Sequence, residues 1–298
     1  MPLNKKSIKA AVIGGDARQI FIANELADMG YAVSVFALGG SYIGRLSSTV
    51  VLEKKLNDTL YGAFLAICPI PFSRDSLTLN APYYPSKINT DSLISTLCEC
   101  KVVAAGMLSD SARASLSEKT FVIDYAKNED FLLKNAFASA EGALSVIIES
   151  MPTTLCSSVC AITGYGRISR ALASYLRSLG AKVKIFARKE CDRTDARLHG
   201  LEAHEIGALT TELSDIDVLI NTVPSVIICK EALASLPKDA ILIELASRPG
   251  GFDKEAKDKL GKEIISAEAL PARFSPKSAG RAVVESIFSS LEKEALVW

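Results

Sequence analysis

Gly164-Tyr165-Gly166-Arg167-Ile168-Ser169 is the stretch of this sequence whose residue types and spacing most directly suggest chemistry. Glycines so spaced let a chain turn tightly and let its backbone approach a pyrophosphate. The free N–H groups and dipole of a helix start then favour the anion. The third small position is Ser169, still compact enough for close helix–strand packing. Thr222, Val223, Pro224 and Ser247 end two later apolar runs and join Gly164, Tyr165, Gly166, Arg167 and Ile168 as candidate cofactor contacts. About twenty residues past the turn, a carboxylate would select NAD through the ribose hydroxyl. Arg188 and Lys189 stand there instead. A guanidinium suits a 2′-phosphate, so the spacing points to NADP; the alternative is two solvated cations at a strand end.

Further cations could hold an anionic substrate. Arg248 follows the apolar run Ala240 to Ala246, and Pro249-Gly250-Gly251 after it lets backbone approach a ligand. It is the leading candidate for both a catalytic and a substrate-binding role. Gly14-Gly15-Asp16-Ala17-Arg18 is a second glycine turn. Arg18 could grip a carboxylate with both arms of its fork, or it could pair with Asp16 and only shape the turn. Asp16 is a further catalytic candidate. Lys277, at the start of the last helix, and Thr153 complete the candidate substrate set. His199 and His204 lie beyond the cofactor unit's second strand and are read as structural or solvated, so the histidine acid–base partner usual in hydroxy-acid dehydrogenases is missing. None of the seven cysteines forms a CxxC pair, and Cys98 and Cys100 flank Glu99 with no histidine nearby. Reduced thiols acting as small hydrophobes are expected, and no metal site.

The elements around these residues read as two α/β units. In the first, Ile8 to Ile13, Ala32 to Leu38, Ala63 to Ile70, Lys101 to Ala105 and Thr120 to Asp124 are expected strands, about five and parallel. The proline-rich loop at 71–90 is expected to be either functional or a mobile surface segment. Asn128 to Ser150 is one long helix, ended by Met151-Pro152. A helix linking two such domains makes the cleft beside it a favoured ligand site. Strands follow at Val159 to Thr163, Val183 to Ala187, Asp217 to Val223, Ala240 to Ala246 and Lys262 to Ser266, and Pro276 to Leu291 is a final helix with Ser275 as its cap. The expected division is 1–150, 151–274 and a returning helix at 275–298. Of 298 residues, 49% are hydrophobic and 23% charged, with 34 basic and 34 acidic side chains, which describes a globular chain without the basic footprint of a nucleic-acid binder. The N-terminal apolar run reads as a strand rather than a signal peptide, and no membrane span is expected.

AVIGGDARQ at 11–19, NTVPS at 221–225, LIELASRPGGFD at 242–253 and PKSAG at 276–280 together resemble the dipicolinate synthase A-subunit family of endospore-forming bacteria. The resemblance runs in order over nearly the whole chain, and excludes 71–90 and 190–210. It implies an α/β protein of two doubly wound domains, a flavodoxin-like first domain and a Rossmann NAD(P)-binding domain, with the C-terminal helix crossing back. It further implies oxidation of a dihydrodipicolinate-type ring to pyridine-2,6-dicarboxylate with NADP, alongside a flavoprotein-like B subunit in the mother-cell cytoplasm during sporulation. A small dicarboxylate matches the Arg and Lys candidates, and aromatisation drives the oxidation without a tuned histidine base. Homo-oligomers are possible partners; nucleic acid and membrane are not expected. Another two-domain NAD(P)-dependent dehydrogenase of a small carboxylic acid, or a non-catalytic NADP-binding partner, are the alternatives.

Overall fold

The computed structural model describes residues 8–294. They divide into two compact units, one running to Asn135 and resuming at Pro271, the other Ala136–Leu270. The first contains β1 (Lys9–Ile13), α1 (Ala17–Asp28), β2 (Ala32–Phe36), β3 (Val51–Leu52), α2 (Leu56–Leu60), β4 (Ala63–Ile67), α3 (Thr90–Leu97), β5 (Val102–Ala105), α4 (Asp110–Ser117) and β6 (Phe121–Asp124). Its strands are nearly uninterrupted apolar runs because helices cover both faces of a parallel sheet. Along β1, Ala10 and Val12 enter one core layer while Ala11 and Ile13 enter the other, the two-residue alternation of an extended chain. Strand order is β3-β2-β1-β4-β5-β6. Six strands replace the expected five. The sixth, β3, is two residues long and both are exposed, so no periodicity marks it. Without this edge strand the order is that of a flavodoxin-like sheet.

The helix α5 (Glu129–Ser150) belongs to both units. Phe131 is buried in the first unit's core, whereas Ala140, Ala143, Val146 and Ile147 are buried in the second's. An 18-residue window of this 22-residue helix has a mean hydropathy of 1.4, long and apolar enough to cross a membrane, but half of that window is buried inside the protein, as befits a core helix.

The second unit continues with β7 (Val159–Thr163), α6 (Arg167–Ser178), β8 (Lys182–Phe186), α7 (Glu190–Leu198), β9 (Glu202–His204), β10 (Val218–Asn221), α8 (Lys230–Ser235), β11 (Ile241–Glu244), α9 (Lys254–Lys259) and β12 (Ile264–Ser266). Its six parallel strands run β12-β11-β10-β7-β8-β9. Counted from β7 this is the 3-2-1-4-5-6 order of a dinucleotide-binding sheet. The first sheet, with β3 included, has the same order. Register aligns Thr163 with Asn221 and Asn221 with Glu244. Three polar residues therefore end neighbouring buried strands at their carboxyl edge.

The chain then returns to the first unit through α10 (Leu270–Phe274) and α11 (Pro276–Lys293), which packs on α1. Pro276 is the first helical residue, but the Ser275 side chain makes no capping bond. Gly280 sets the helix spacing: a Cβ there would lie 2.8 Å from Arg18 O and 3.2 Å from Phe21 Cβ. That close approach gives the glycine of PKSAG a packing role.

Candidate functional site

The glycine turn of the second unit is open. Gly164 has φ +86°, and its N–H donates to Phe186 O at 2.8 Å, closing the strand-to-helix turn. A Cβ there would meet Thr222 Oγ1 at 2.7 Å and Val223 Cγ2 at 2.9 Å. Gly166 caps α6 in extended backbone, and a Cβ on it would find nothing within 4 Å. The free space at a helix N-terminus is the cradle a pyrophosphate requires. Ser169 is fully buried, with its Oγ 2.8 Å from Thr222 Oγ1, so it packs as the third small residue of the fingerprint and also bonds the next strand end. Tyr165 is buried under Arg170, whose guanidinium lies 4.7 Å from the ring centroid. Arg170 Nη1 also binds Asp195 Oδ2 at 2.8 Å, linking the turn to α7. Burial, followed by the charge of Asp195, raises the Tyr165 phenol above its ordinary value. Arg167 and Ile168 form the exposed and half-buried first turn of α6.

At the end of β8, Arg188 and Lys189 are exposed. The nearest acid, Glu190, is held by its own helix: Arg193 Nε donates to Oε2 at 2.9 Å and Arg197 Nη1 to Oε1 at 3.0 Å. These bonds from Arg197 and Arg193 keep the carboxyl below its ordinary value. Arg193 Nη1 also donates to Ala187 O and Arg188 O, both at 2.8 Å, fixing the backbone from which the Arg188 side chain projects.

Beyond β10 and β11 lie the other candidates. Thr222 Oγ1 donates to Thr163 O at 2.7 Å. Val223 is half-buried, and Pro224 and Ser247 are exposed. The Arg248 side chain is 91% exposed, with Glu268 at 3.8 Å as its ion partner. The loop beneath it is tightly folded. Gly250 has φ +86°, and a Cβ on Gly251 would stand 2.4 Å from Asn221 Nδ2. Sequence reasoning passed over Asn221 and Glu244, although a polar residue closing an otherwise apolar strand was the available signal. Asn221 is fully buried. It accepts from Thr163 Oγ1 at 2.6 Å and Val223 N at 3.1 Å, and donates to Val223 O at 2.9 Å and Glu244 Oε1 at 2.6 Å.

The glycine turn of the first unit is closed. Gly14 N donates to Phe36 O at 2.9 Å, the counterpart of the Gly164 bond, but Gly15 N donates to Asn80 O at 2.7 Å. A Cβ on Gly14 would meet Leu79 Cδ2 at 2.7 Å, and one on Gly15 would meet Pro69 Cβ at 2.9 Å. The segment after β4 therefore packs over this turn. Its Phe72 and Leu79 are core residues, and Asp75 ties its tip through bonds from Leu77 N, Thr78 N and Thr78 Oγ1. These donors hold the Asp75 carboxyl well below the usual carboxylate range.

Between the two possibilities for Arg18, the structure shows the internal pair. Arg18 Nε donates to Asp16 Oδ1 at 2.8 Å, and Nη2 donates to Asp16 Oδ2 at 2.7 Å and to Ile70 O at 2.9 Å. Asp16 also accepts from Arg18 N at 3.1 Å and so caps α1. Burial opposes the Arg18 charge, but the Asp16 bond and charge outweigh it, and the guanidinium pKa is raised.

Lys277 is exposed on the first turn of α11, in the same unit as Asp16 and Arg18. Thr153 is exposed between α5 and β7, in the unit of Arg248. His204 stacks on Phe186 with centroids 5.3 Å apart and bonds Glu202 at 2.6 Å, while His199 Nδ1 meets Asp195 O at 2.8 Å. Cys68, Cys100 and Cys160 are buried among apolar side chains.

Comparison with known proteins matches each unit separately. Residues 9–126 match the N-terminal domain of the dipicolinate synthase A subunit. Residues 145–257 match the NAD binding domain of D-isomer specific 2-hydroxyacid dehydrogenases. The dipicolinate synthase A subunit of Bacillus subtilis is 26% identical over 96% of both chains. The crystal structure of its Bacillus halodurans counterpart superposes with a TM-score of 0.80 at 25% identity, covering 96% of this chain and 98% of that one. Over nearly its whole length the chain is similar to dipicolinate synthase A subunits. The crystal structure of the Bacillus subtilis relative, with a TM-score of 0.78 and 26% identity, covers 97% of this chain and 96% of that one. The open turn lies in the unit that matches an NAD-binding dehydrogenase domain, and the closed turn in the unit that matches the dipicolinate synthase A-subunit N-terminal domain.

Proposed function

We propose that this chain oxidises a dihydrodipicolinate-type ring to pyridine-2,6-dicarboxylate with NADP as acceptor. What carries this reading is that the open backbone at Gly166 and the exposed Arg248 belong to the carboxyl edge of one sheet. Bound there, the nicotinamide would accept the hydride. The substrate loses that hydride from a ring carbon and a proton to solvent, and the products are NADPH and the aromatic dianion. The α6 N-terminus, with Gly164, Gly166 and Arg167, would hold the pyrophosphate. Thr222, Val223, Pro224 and Ser247 would line the nicotinamide end, where open α/β sheets bind ligands. Arg188 would bind the 2′-phosphate, an assignment favoured by its exposure and by the hydrogen bonds from Arg193 and Arg197 that already occupy Glu190, the acid next in sequence. Arg248 would pair with a substrate carboxylate and orient the ring. No histidine enters this scheme.

The test is NADPH formation by absorbance, with dihydrodipicolinate, using the chain alone and with its proposed partner, a flavoprotein-like second subunit. Dipicolinate and NADPH appearing in equal amounts supports the assignment. NADP binding without turnover in either arrangement would instead favour a non-catalytic NADP-binding role, and turnover of a 2-hydroxy acid in its place would favour another dehydrogenase.

A further inference from the structure

We infer that Glu244 is a positioning residue for Arg248: its carboxylate is the post onto which the arginine loop is folded. Glu244 ends β11, four residues before Arg248. Oε1 accepts from Ala246 N at 2.9 Å and from Asn221 Nδ2 at 2.6 Å, and Oε2 accepts from Gly251 N at 2.7 Å. The two backbone donors bracket Arg248, so both ends of its loop are tied to one side chain. All three partners are donors, and a carboxylate is the side chain that can accept on both oxygens.

The glycines show how closely the loop follows this group. A Cβ on Gly250 would stand 2.7 Å from Glu244 Oε2, and one on Gly251 would overlap the Asn221 amide. Asn221 has both N–H groups and both carbonyl positions occupied, so its amide orientation is set, and it cannot turn away from Glu244 without losing partners. The same bonds lead back to the cofactor turn, from Asn221 to Thr163, from Thr163 O to Thr222 Oγ1, and from there to Ser169. Arg248 itself is exposed and makes one long ion contact, so its placement comes from its backbone. A side chain that must meet an anion gains when its backbone is already held, because less ordering remains to be done on binding.

This inference rests on Arg248 binding a substrate carboxylate, so its test separates the loop from the substrate. Glu244→Gln offers one oxygen and one NH2 group, so an N–H must face a backbone or amide donor. Glu244→Asp keeps the charge but withdraws it by one methylene. These variants, Arg248→Ala and Glu244→Gln with Arg248→Ala are compared with the wild-type chain by three measurements. They are amide hydrogen exchange at Ala246 and Gly251, NADP affinity by calorimetry, and affinity of the NADP-loaded protein for pyridine-2,6-dicarboxylate.

Exchange at Gly251 should quicken by roughly tenfold or more in both Glu244 variants, the factor a lost charge-assisted bond is worth. NADP affinity should fall by less than dicarboxylate affinity, since the pyrophosphate cradle is untouched and only Ser247 and the Asn221 bonds connect the loop to the cofactor. Dicarboxylate affinity should fall roughly tenfold when Arg248 is present, and no further when it is alanine, as coupled residues behave in a double-mutant cycle. Unchanged Gly251 exchange would overturn the inference, and so would an equal loss of affinity with and without Arg248. A wild-type chain that binds NADP but not the dicarboxylate would instead remove the substrate assignment, leaving exchange to decide whether Glu244 holds the loop.

Discussion

Arg18→Ala tests whether the first unit's glycine turn is held together by its own ion pair. The side chains of Arg18 and Asp16 are only 11% and 14% exposed. Alanine would remove the two side-chain bonds to Asp16, at 2.8 and 2.7 Å, and the donor to Ile70 O at 2.9 Å. It would leave a largely buried carboxylate with only the residue 18 backbone N–H as partner. Removing one member of a buried pair typically costs about 3–5 kcal/mol. The lower end, about 3 kcal/mol, suits a pair that keeps some solvent contact. For a unit of this size that corresponds to a fall in Tm of roughly 6–12 °C. Removing Asp16 as well eliminates the stranded charge and should recover much of the loss, leaving about 1 kcal/mol for the missing helix cap. Scanning calorimetry on the single and double variants gives both values. NADP affinity should be unaffected in each, because the cofactor turn lies in the other unit. A single variant that melts within roughly 2 °C of wild type would refute the buried-pair reasoning and return Arg18 to the substrate.

Other expectations follow from the second unit and the thiols. Gly166→Val should fold normally by circular dichroism, since its side chain enters empty space, yet lose NADP binding in a fluorescence titration because that space is where the pyrophosphate must sit; undiminished affinity would exclude this turn as the cradle. Arg188→Asp should weaken NADP at least about tenfold and spare NAD, from a contact worth roughly 1.5–3 kcal/mol, and tighter binding of NAD by the wild type in calorimetry would defeat the assignment. Burial pushes the Cys100 and Cys160 thiols up to about 11 and Cys68 higher still, so in the native protein near pH 8 they remain protonated and unreactive. Mass spectrometry after brief iodoacetamide treatment should find label on exposed Cys156 and Cys191 and none on those three until the protein is unfolded.

The cofactor unit was legible in the sequence because its signals are local. An apolar strand, Gly164 and Gly166, an amphipathic helix and the stop at Gly180 act within about thirty residues of one another, and each turn requirement is met by its own residue type. Local signals likewise marked α5, ended by proline, and α11, begun by one. Two short strands went unread: β3 has two exposed residues and β9 is Glu-Ala-His with no apolar run, whereas β12, also three residues, was marked by its paired isoleucines. The sequence by itself also could not distinguish the two glycine turns. Gly14-Gly15 and Gly164-Tyr165-Gly166 both follow buried strands and open helices, but which is covered depends on Pro69, Leu79 and Asn80, contacts made across more than fifty residues. The alternatives for Arg18 were open for the same reason, since its pairing with Asp16 is stabilised by burial beneath that segment and by the distant Ile70 carbonyl. Asn221 and Glu244 were visible as letters, yet a polar residue acquires its role from what the parallel register sets opposite it, and only the assembled sheet aligns Thr163, Asn221 and Glu244 in one row.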